Sequence, residues 1–153
     1  MQFSWIEPGK LAASEMPFFE TDIRAQHAQG IRAILTLTED PLTFLPEITS
    51  ALLSALDVRL FHVPVPDDAA PTHAQAREIL NFIHSAQKEG HPLLVHCMMG
   101  IGRTGTVLHP FYFDQGLSLA EAQSRVQARC PVCRRLSPSQ RAFIAAWAEA
   151  GTS

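Results

Sequence analysis

The sequence predicts an α/β fold in one domain, on three observations. Strand-like apolar runs alternate with helix-like segments along the chain, which is the pattern of α/β proteins. The 153 residues suit a single domain, and the 46% that are hydrophobic can fill one core. The chain contains no internal repeat, low-complexity tract or Gly/Ser linker. We therefore expect one domain over residues 1–153.

Four segments are predicted to be strands. Residues 3–6 form a short candidate edge strand, and residues 31–37 are rich in β-branched and apolar side chains, which indicates a buried strand. Residues 58–65 form the next strand, and the prolines around Pro66 then lead the chain out of the sheet. Leu93–His96 is a further strand and the most apolar of the four.

Helix starts are marked by capping residues. Thr21 can cap a helix that runs to about residue 29, and residues 46–56 predict a short helix with its apolar side chains inward. A helix is also expected over about residues 103–114. Three Ser/Thr-x-x-Glu/Gln capping boxes predict the starts of the other helices: Thr72 with Gln75, Ser118 with Glu121, and Ser137 with Gln140.

The charge balance and the cysteine count exclude several classes of protein. Twelve basic residues against 15 acidic ones, net −3, argue against a nucleic-acid binder, which normally carries a basic surface. No apolar run reaches the length of a membrane span, and the N-terminus lacks the pattern of a signal peptide. Three cysteines, an odd number, fit a reducing compartment better than a disulfide scaffold. We therefore expect a cytoplasmic protein without a nucleic-acid or membrane partner, and we favour a monomer.

The most informative segment is residues 96–104, His-Cys-Met-Met-Gly-Ile-Gly-Arg-Thr. In this segment Cys97 and Arg103 are separated by five residues, two of which are glycine. An apolar strand leads in and a helix-like stretch leads out, so a tight loop of backbone N–H groups meets a helix N-terminus. Such a site binds anions, and it favours the nucleophilic thiolate form of a cysteine. The segment therefore predicts an enzyme that takes a phosphoryl group onto the Cys97 sulfur.

Each residue type of this segment suits one part of that chemistry. Arg103 offers a planar fork to two phosphate oxygens and can stabilise the charge of the transition state. Thr104 can donate a hydrogen bond to the sulfur and stabilise it as a leaving group. His96, at the strand end, is expected to orient its neighbours rather than to act as a general base. The phosphate is expected to bind the backbone N–H groups of Met98, Met99, Gly100, Ile101, Gly102 and Arg103.

The leaving alcohol or phenol needs a proton, which a carboxylic acid on a mobile loop near the pocket can supply. Asp67 and Asp68 follow a strand end in a loop bracketed by Pro66 and Pro71. Either side chain could swing over the site, and it could later act as the base toward the water that breaks the thiophosphate. The residues alone leave the choice between the two carboxylates open.

Several segments together resemble one family. Residues 95–107, VHCMMGIGRTGTV, contain His-Cys, five residues, Arg and Thr, and so resemble the signature of the protein tyrosine phosphatase superfamily. Residues 5–12, 30–39 and 65–67 look like the opening, the second strand and the acid loop of its small atypical dual-specificity branch. The resemblance extends over about residues 5–144.

That resemblance implies a cysteine-based phosphatase fold, with a central mixed, mostly parallel sheet of four to five strands flanked by helices. It implies a cysteinyl-phosphate intermediate without a metal or other cofactor, and it places Asp67 ahead of Asp68 as the acid. The implied activity is hydrolysis of phosphotyrosine in proteins, with phosphoserine and phosphothreonine as further candidates. The spacing before Gln140 departs from the family pattern, so no water-positioning role is predicted for this residue.

Loop side chains bear on substrate preference. Met98, Met99 and Ile101 are uncharged, whereas relatives that take phosphoinositides or inositol polyphosphates often carry lysine in this loop. Phosphotyrosine is therefore the favoured substrate. Two other classes stay open, namely a catalytically weak module that docks phosphorylated partners and a thiol redox enzyme such as an arsenate reductase, whose loop normally lies near the N-terminus.

Two further groups of residues have alternative interpretations. Glu39 and Asp40 follow a strand end, where they either orient Arg103 or another cation, or form a solvated turn. Cys130 and Cys133 form a C-x-x-C pair, which cannot complete a zinc site by itself and does not follow a strand as a thioredoxin-like pair does. We therefore expect them to be incidental surface cysteines.

Overall fold

The computed structural model describes residues 2–151, so Met1, Thr152 and Ser153 of the predicted domain lie outside the described residues. Its strands are β1 (Phe3–Glu7), β2 (Leu11–Ser14), β3 (Ala33–Thr36), β4 (Arg59–His62) and β5 (Leu93–His96). They form one sheet in the order β1-β2-β5-β3-β4. β1 and β2 are antiparallel, and all other neighbours are parallel. The prediction of a mixed, mostly parallel sheet is confirmed.

Six α-helices accompany the sheet over the described residues: α1 (Glu20–Ala28), α2 (Ser50–Ala55), α3 (His73–Lys88), α4 (Gly102–Phe113), α5 (Leu119–Arg129) and α6 (Pro138–Gly151). Short 3₁₀ helices cover Leu42–Phe44 and Pro131–Arg134. All three predicted capping boxes are confirmed, because each pair exchanges both backbone-to-side-chain hydrogen bonds. Within residues 2–151 no helix combines the length and the apolar character that crossing a bilayer requires.

Helices cover both faces of the sheet. Successive side chains of a strand point to opposite faces. Leu93 and Val95 accordingly pack into one apolar cluster with residues of α3, α4, α5 and α6, whereas Leu94 packs into another with residues of α1 and α2. A strand that is buried on both faces needs a continuous apolar run. This requirement explains why the position of β5 could be predicted from the sequence.

Three parallel strands end side by side at one edge of the sheet. Thr36 of β3 is in register with His62 of β4 on one side and with His96 of β5 on the other. The segments that follow these three strands therefore leave the sheet together, at the carboxyl edge where α/β proteins bind ligands.

The predicted start of α1 is wrong. The helix begins at Glu20, so Thr21 lies inside its first turn and does not cap it. The cap interaction comes from within the helix, where the Asp22 carboxylate accepts hydrogen bonds from the backbone N–H groups of Phe18 and Phe19 at 3.0 and 3.1 Å. Asp22 thereby satisfies N–H groups before the helix and sets its start upstream of Thr21.

Other predicted boundaries are too wide, and one strand is missing from the prediction. The strand expected over residues 58–65 ends at His62, although the N–H groups of Val63 and Val65 still donate to the Thr36 and Leu37 carbonyl oxygens at 3.0 and 3.1 Å. The helix expected over residues 46–56 is limited to α2, whose first turn is capped by Thr49, and the strand expected over residues 31–37 is limited to β3. The sequence pattern does not predict β2, which is short, lacks β-branched residues and is defined by its pairing with β1 and β5.

Candidate active site

Cys97 begins the loop of residues 97–101 that joins β5 to α4, here called the β5–α4 loop. Its side chain is buried, with 3% of its surface exposed. The backbone N–H of Met16 donates to the Met98 carbonyl oxygen at 2.9 Å, which fixes the loop to the segment after β2. The cysteine therefore lies at the carboxyl edge of the sheet in a loop that is hydrogen-bonded to the segment after β2.

The Cys97 sulfur faces the start of α4. Thr104 Oγ1 donates a hydrogen bond to Cys97 Sγ at 3.2 Å, and both side chains are buried. The first N–H groups of a helix have no acceptor within the helix, and the helix dipole is positive at this end. The surroundings of the sulfur thus favour an anion.

His96 is fixed on the other side of the cysteine. Its Nδ1 lies 2.9 Å from the Cys97 carbonyl oxygen, and its Nε2 lies 2.9 Å from Thr36 Oγ1. Because a carbonyl oxygen can only accept, Nδ1 carries the proton and Nε2 accepts from the threonine hydroxyl. Burial, with smaller contributions from the charges of Arg103 and His62, lowers the pKa of His96 to about 4, although the hydrogen bond to Cys97 opposes this shift. His96 is therefore neutral near pH 7.

Arg103 is buried, with 4% of its surface exposed, and is held by acceptors from two other segments. Its Nη1 donates to Glu39 Oε1 at 2.6 Å and to the Val65 carbonyl oxygen at 2.9 Å. The hydrogen bond from Arg103 is the main cause that lowers the pKa of Glu39 below its usual value. Of the two interpretations of Glu39, orientation of Arg103 is therefore the one that the structure supports.

The two candidate acids lie in the loop of residues 65–69, here called the 65–69 loop. Asp67 Oδ1 lies 3.6 Å from Arg103 Nη2 and accepts a hydrogen bond from the Asp68 N–H at 3.0 Å. The Asp67 N–H itself donates to Glu39 Oε2 at 3.4 Å. Asp68 has a φ of 60°, a left-handed conformation that aspartate adopts more readily than most residues. The carboxylate of Asp67 is thus the one that pairs with Arg103.

Cys97, Arg103 and the two candidate acids line one cleft of about 260 Å³. Its walls are formed by Asp67, Asp68, Cys97, Met98, Met99, Ile101, Gly102, Arg103, Arg135 and Gln140. Pockets that enclose a whole small ligand measure about 300–1,000 Å³, so this cleft suits only the phosphorylated end of a larger molecule. A groove of about 540 Å³ beside α5 has neither a cysteine nor a cation in its lining, so the reactive groups belong to the smaller cleft.

The cleft contains most of the residues predicted to bind phosphate, and Gly100 is the exception. Gly100 has a φ of 73°, and a Cβ atom added there would lie 2.7 Å from the Ser14 carbonyl oxygen. Its backbone is therefore pressed against the end of β2. Glycine at this position lets the β5–α4 loop turn where no side chain fits.

Two cleft residues were not predicted to contribute to the site. Gln140 is buried with 1% of its surface exposed, and its side chain lies against Gly102. Arg135 follows the 3₁₀ helix Pro131–Arg134 and is exposed. The capping box of Ser137 and Gln140 is the one sequence signal that located this segment, but it indicates a helix start and not a place in the cleft.

Cys130 and Cys133 are not surface cysteines, so that expectation is wrong. Both are buried, and they form a disulfide with an S–S distance of 2.07 Å, while Cys97 is a free cysteine. The 3₁₀ turn brings their Cα atoms to 5.4 Å, within the usual range for a disulfide. Cys133 Sγ lies 3.5 Å from the Gly100 carbonyl oxygen, so the disulfide packs against the β5–α4 loop.

Over residues 2–151, no three His, Cys, Asp or Glu side chains are grouped so that they could hold a metal ion.

Comparison with known proteins identifies the family. The profile of the PTP-SAK family, described as a Swiss Army Knife protein with a DSP-PTPase phosphatase domain, matches residues 1–142. The chain therefore belongs to the DSP-PTPase phosphatases, the dual-specificity branch of the protein tyrosine phosphatase superfamily. The family that the sequence resembles is thereby confirmed.

Individual relatives agree with this family. Phosphatidylglycerophosphate phosphatase PTPMT2 of Arabidopsis thaliana is 30% identical over 128 residues, which are 82% of this chain and 54% of that protein. Dual specificity protein phosphatase 15 of Mus musculus is 29% identical over 103 residues, 67% of this chain and 40% of that protein. The chain thus spans about half the length, or less, of these relatives.

Solved structures have the same fold. The crystal structure of Tk-PTP in the active form matches with a TM-score of 0.81 and 31% identity, over 96% of this chain and 96% of that chain. The crystal structure of PTPMT1 matches with a TM-score of 0.83, over 99% of this chain and 96% of that chain. At 21% identity, the second match shows the fold alone.

Proposed function

We propose that this chain hydrolyses phosphomonoesters through a cysteinyl-phosphate on Cys97, with phosphotyrosine in proteins as the favoured substrate. One observation carries the proposal: the same cleft is lined by Cys97 and by the buried Arg103. The Cys97 sulfur also accepts a hydrogen bond from Thr104. A nucleophile, a group that stabilises it as a leaving group and a phosphate-binding cation are thus brought together. Membership in a phosphatase family supports the same chemistry.

In the first step, the Cys97 thiolate attacks phosphorus, so that an S–P bond forms while the ester P–O bond breaks. Arg103 binds the equatorial phosphate oxygens through Nε and Nη2, because Nη1 is engaged by Glu39 and Val65. The N–H groups at the start of α4 bind the same oxygens. Asp67 in its protonated form donates its proton to the leaving oxygen.

In the second step, a water molecule attacks phosphorus and the S–P bond breaks. The Asp67 carboxylate takes the proton of the water, which returns this side chain to its protonated form. The hydrogen bond from Thr104 Oγ1 stabilises the departing Cys97 thiolate. The products are the free alcohol or phenol, released in the first step, and inorganic phosphate.

The shape and charge of the cleft support phosphotyrosine, with phosphoserine and phosphothreonine as further substrates. The small cleft takes the end of one side chain, and Met98 and Met99 are 44% and 62% exposed at its mouth. Neither methionine can bind a second phosphate. Arg103 is therefore the cation that binds the phosphoryl group, and Arg135 is a second cation in the same lining.

A second candidate substrate is a phosphomonoester on a lipid headgroup. Phe18 and Phe19 are 43% and 55% exposed, and they follow Met16, which is hydrogen-bonded to Met98 of the β5–α4 loop. Exposed apolar side chains beside a cleft can contact an acyl chain. The name of the Arabidopsis thaliana relative, a phosphatidylglycerophosphate phosphatase, supports including this substrate class in the test.

The decisive experiment measures phosphate release by the purified protein from a phosphotyrosine peptide, phosphoserine and phosphothreonine peptides, and phosphatidylglycerophosphate in mixed micelles. We expect turnover of the phosphotyrosine peptide to be fastest and to be unchanged by a chelator. Cys97→Ser should abolish turnover and still bind tungstate, because Arg103 and the loop N–H groups remain. Full activity of Cys97→Ser would contradict the cysteinyl-phosphate. Peptide binding without turnover by the parent protein would indicate a docking module, and thiol-dependent reduction of arsenate would indicate a redox enzyme.

We further propose that the protein acts in the cytoplasm as a monomer. The net charge of −3, with 12 basic against 15 acidic residues, supports a partner other than nucleic acid. The Cys130–Cys133 disulfide removes one basis of this compartment, because the expectation of a cytoplasmic protein rested partly on three reduced cysteines and disulfides are rare in the cytoplasm. Cell fractionation tests the compartment, and sedimentation velocity tests the oligomeric state.

A further inference from the structure

We infer that Ser137 and Ser139 are positioning residues for the Asp67 carboxylate, because their hydroxyl groups hold the 65–69 loop beside Cys97. This inference rests on the proposed function, since it concerns the proton that Asp67 transfers. It concerns Ser137, which precedes α6, and Ser139 in the first turn of α6, to neither of which the mechanism above assigns a role.

The start of α6 donates three side-chain hydrogen bonds to two successive carbonyl groups of the 65–69 loop. Ser137 Oγ donates to the Asp68 carbonyl oxygen at 2.7 Å, and Ser139 Oγ donates to the same oxygen at 3.1 Å. Gln140 Nε2 donates to the Ala69 carbonyl oxygen at 3.1 Å. Two hydroxyl groups thus share one acceptor, which places the Asp68 carbonyl group between them.

Asp68 links these hydrogen bonds to the acid. Its carbonyl group is held by α6, and its N–H group donates to Asp67 Oδ1 at 3.0 Å. A shift of Asp68 therefore moves a donor to the carboxylate of Asp67. The same oxygen, Asp67 Oδ1, lies 3.6 Å from Arg103 Nη2, so the carboxylate is oriented from two sides.

The conformation of Asp68 shows why the loop needs this support. Its φ of 60° lies in the left-handed region, which is less favourable than the α and β regions for a residue with a side chain, even for aspartate. The other end of the loop is anchored by Arg103, which donates to the Val65 carbonyl oxygen. The loop is therefore held at one end by the phosphate-binding cation and at the other by the serines of α6.

Ser137 has a second role that the test must separate. Its Oγ accepts a hydrogen bond from the Gln140 N–H at 3.2 Å, so it also caps α6. Ser118 makes the equivalent cap on α5, where its Oγ accepts from the Glu121 N–H at 3.2 Å. Ser118 lines the groove beside α5 and not the cleft that contains Cys97. Ser118→Ala is therefore a matched control for the loss of a helix cap.

The experiment compares two esters that differ in their need for an acid. Phenyl phosphate has a leaving group that must be protonated, whereas 2,4-dinitrophenyl phosphate has one that departs without a proton. In the double variant Ser137→Ala/Ser139→Ala we expect kcat/KM for phenyl phosphate to fall about tenfold, a part of the roughly 10²–10⁴-fold contribution of a general acid. We expect kcat/KM for the dinitrophenyl ester to stay within about twofold of the parent, because this quantity contains only the steps up to cleavage of the ester bond and not the second step, in which Asp67 acts for both esters.

Two further variants keep the experiment informative if the double variant folds poorly. Ser139→Ala retains the Ser137 cap and should lower the ratio of the two kcat/KM values about threefold, as part of the contribution of the general acid. Ser137→Thr/Ser139→Thr retains both hydroxyl groups and should restore the parent ratio. Ser118→Ala should lower the melting temperature and leave the ratio unchanged.

The possible outcomes separate this inference from the proposed function. If Asp67→Asn lowers the ratio and the serine variants do not, the positioning role of the serines is wrong and the acid role of Asp67 stands. An equal loss of kcat/KM with both esters in the serine variants would also overturn it, because that result indicates general damage. A parent protein that hydrolyses neither ester overturns the proposed function and this inference together.

Discussion

Glu39 Oε1 lies 2.6 Å from Arg103 Nη1, although 64 positions separate the two residues in the chain. The pair joins the segment after β3 to the first turn of α4. A carboxylate beside the proposed phosphate site would repel the substrate, so we expect Glu39 to contribute by orienting the guanidinium. Glu39 and the Val65 carbonyl group engage Nη1, which leaves Nε and Nη2 of Arg103 for the phosphate that we propose it binds.

Loss of this pair should impair phosphate binding. In Glu39→Ala, we expect kcat/KM for a phosphotyrosine peptide to fall about tenfold, because a charge-assisted hydrogen bond that fixes Arg103 is lost. Glu39→Gln keeps an acceptor for Arg103, so its kcat/KM should fall less than that of Glu39→Ala. Asp40→Asn removes an adjacent exposed carboxylate and serves as the control in the same steady-state assay. A higher kcat/KM in Glu39→Ala would show that repulsion of the substrate outweighs orientation.

The two aspartates of the 65–69 loop should behave differently. Asp67→Asn should lower kcat for phenyl phosphate about 100-fold, within the range of a general acid. It should also flatten the alkaline limb of the profile of kcat/KM against pH, because the first step needs a protonated acid and is lost as the pH rises. Asp68→Asn keeps the backbone groups that position Asp67 and should change kcat little. The reverse result would move the acid to Asp68.

The buried His96 should make stability depend on pH. Its pKa is lowered to about 4 in the folded protein, against about 6.5 in the unfolded chain, so only the unfolded chain gains a proton between these values. The contribution of His96 to the free energy of unfolding is therefore largest above about pH 6.5, and it falls by up to about 3 kcal/mol as the pH approaches 4.

Urea unfolding from pH 7 to pH 4.5 measures this dependence, and NMR titration of the imidazole measures the pKa directly. His96→Asn should reduce the dependence, of which a part remains because burial also lowers the pKa of His109. His84→Asn, which changes a histidine with 45% of its side chain exposed, should keep the full dependence. A His96 imidazole that titrates near 6.5 would contradict the burial argument.

The disulfide should contribute to stability and not to the chemistry. Closing the short loop from Cys130 to Cys133 stabilises the fold by about 2 kcal/mol in the chain-entropy treatment, so Cys130→Ala/Cys133→Ala should lose about that amount. The kcat of this double variant should remain close to that of the parent protein, because Cys97 is a free cysteine and not part of the disulfide. Thiol titration of the denatured protein should find one thiol before reduction and three after it. Three thiols before reduction would show that the disulfide is absent.

Two glycines with similar backbone angles should differ in their effect on activity. Gly100 and Gly116 have φ values of 73° and 89°, so alanine at either position costs about 1 kcal/mol of stability through left-handed strain. A Cβ at Gly100 would also press on Ser14, whereas one at Gly116 meets nothing within 4 Å. Gly100→Ala should therefore displace the β5–α4 loop and lose more than about tenfold in kcat, whereas Gly116→Ala should lose stability alone. Equal kcat values would contradict this difference.

Features with a local physical cause could be predicted from the sequence. The three capping boxes depend on side chains three residues apart, and β5 depends on an unbroken apolar run. The proximity of Cys97 and Thr104 follows from a short loop that enters a helix. In each case the residues that determine the feature lie close together in the sequence.

Features that depend on distant partners could not be predicted in the same way. β2 is a strand because β1 and β5 lie on either side of it, and its own four residues carry only a weak signal. Burial of Cys130 and Cys133 depends on the packing of their turn against the β5–α4 loop. The segment between them and α6 also departs from the family pattern, so the resemblance provided no guide to it.

The sequence by itself determined which residues are the candidate reactive groups, because the spacing of Cys97, Arg103 and Thr104 is a local property of one loop and one helix. The tertiary structure alone decided which carboxylates meet Arg103, and that the serines of α6 hold the loop that carries Asp67. The physical reason is the register of β3, β4 and β5, whose ends at Thr36, His62 and His96 coincide at one edge of the sheet. Only this alignment brings residues from distant parts of the chain within hydrogen-bond distance of each other.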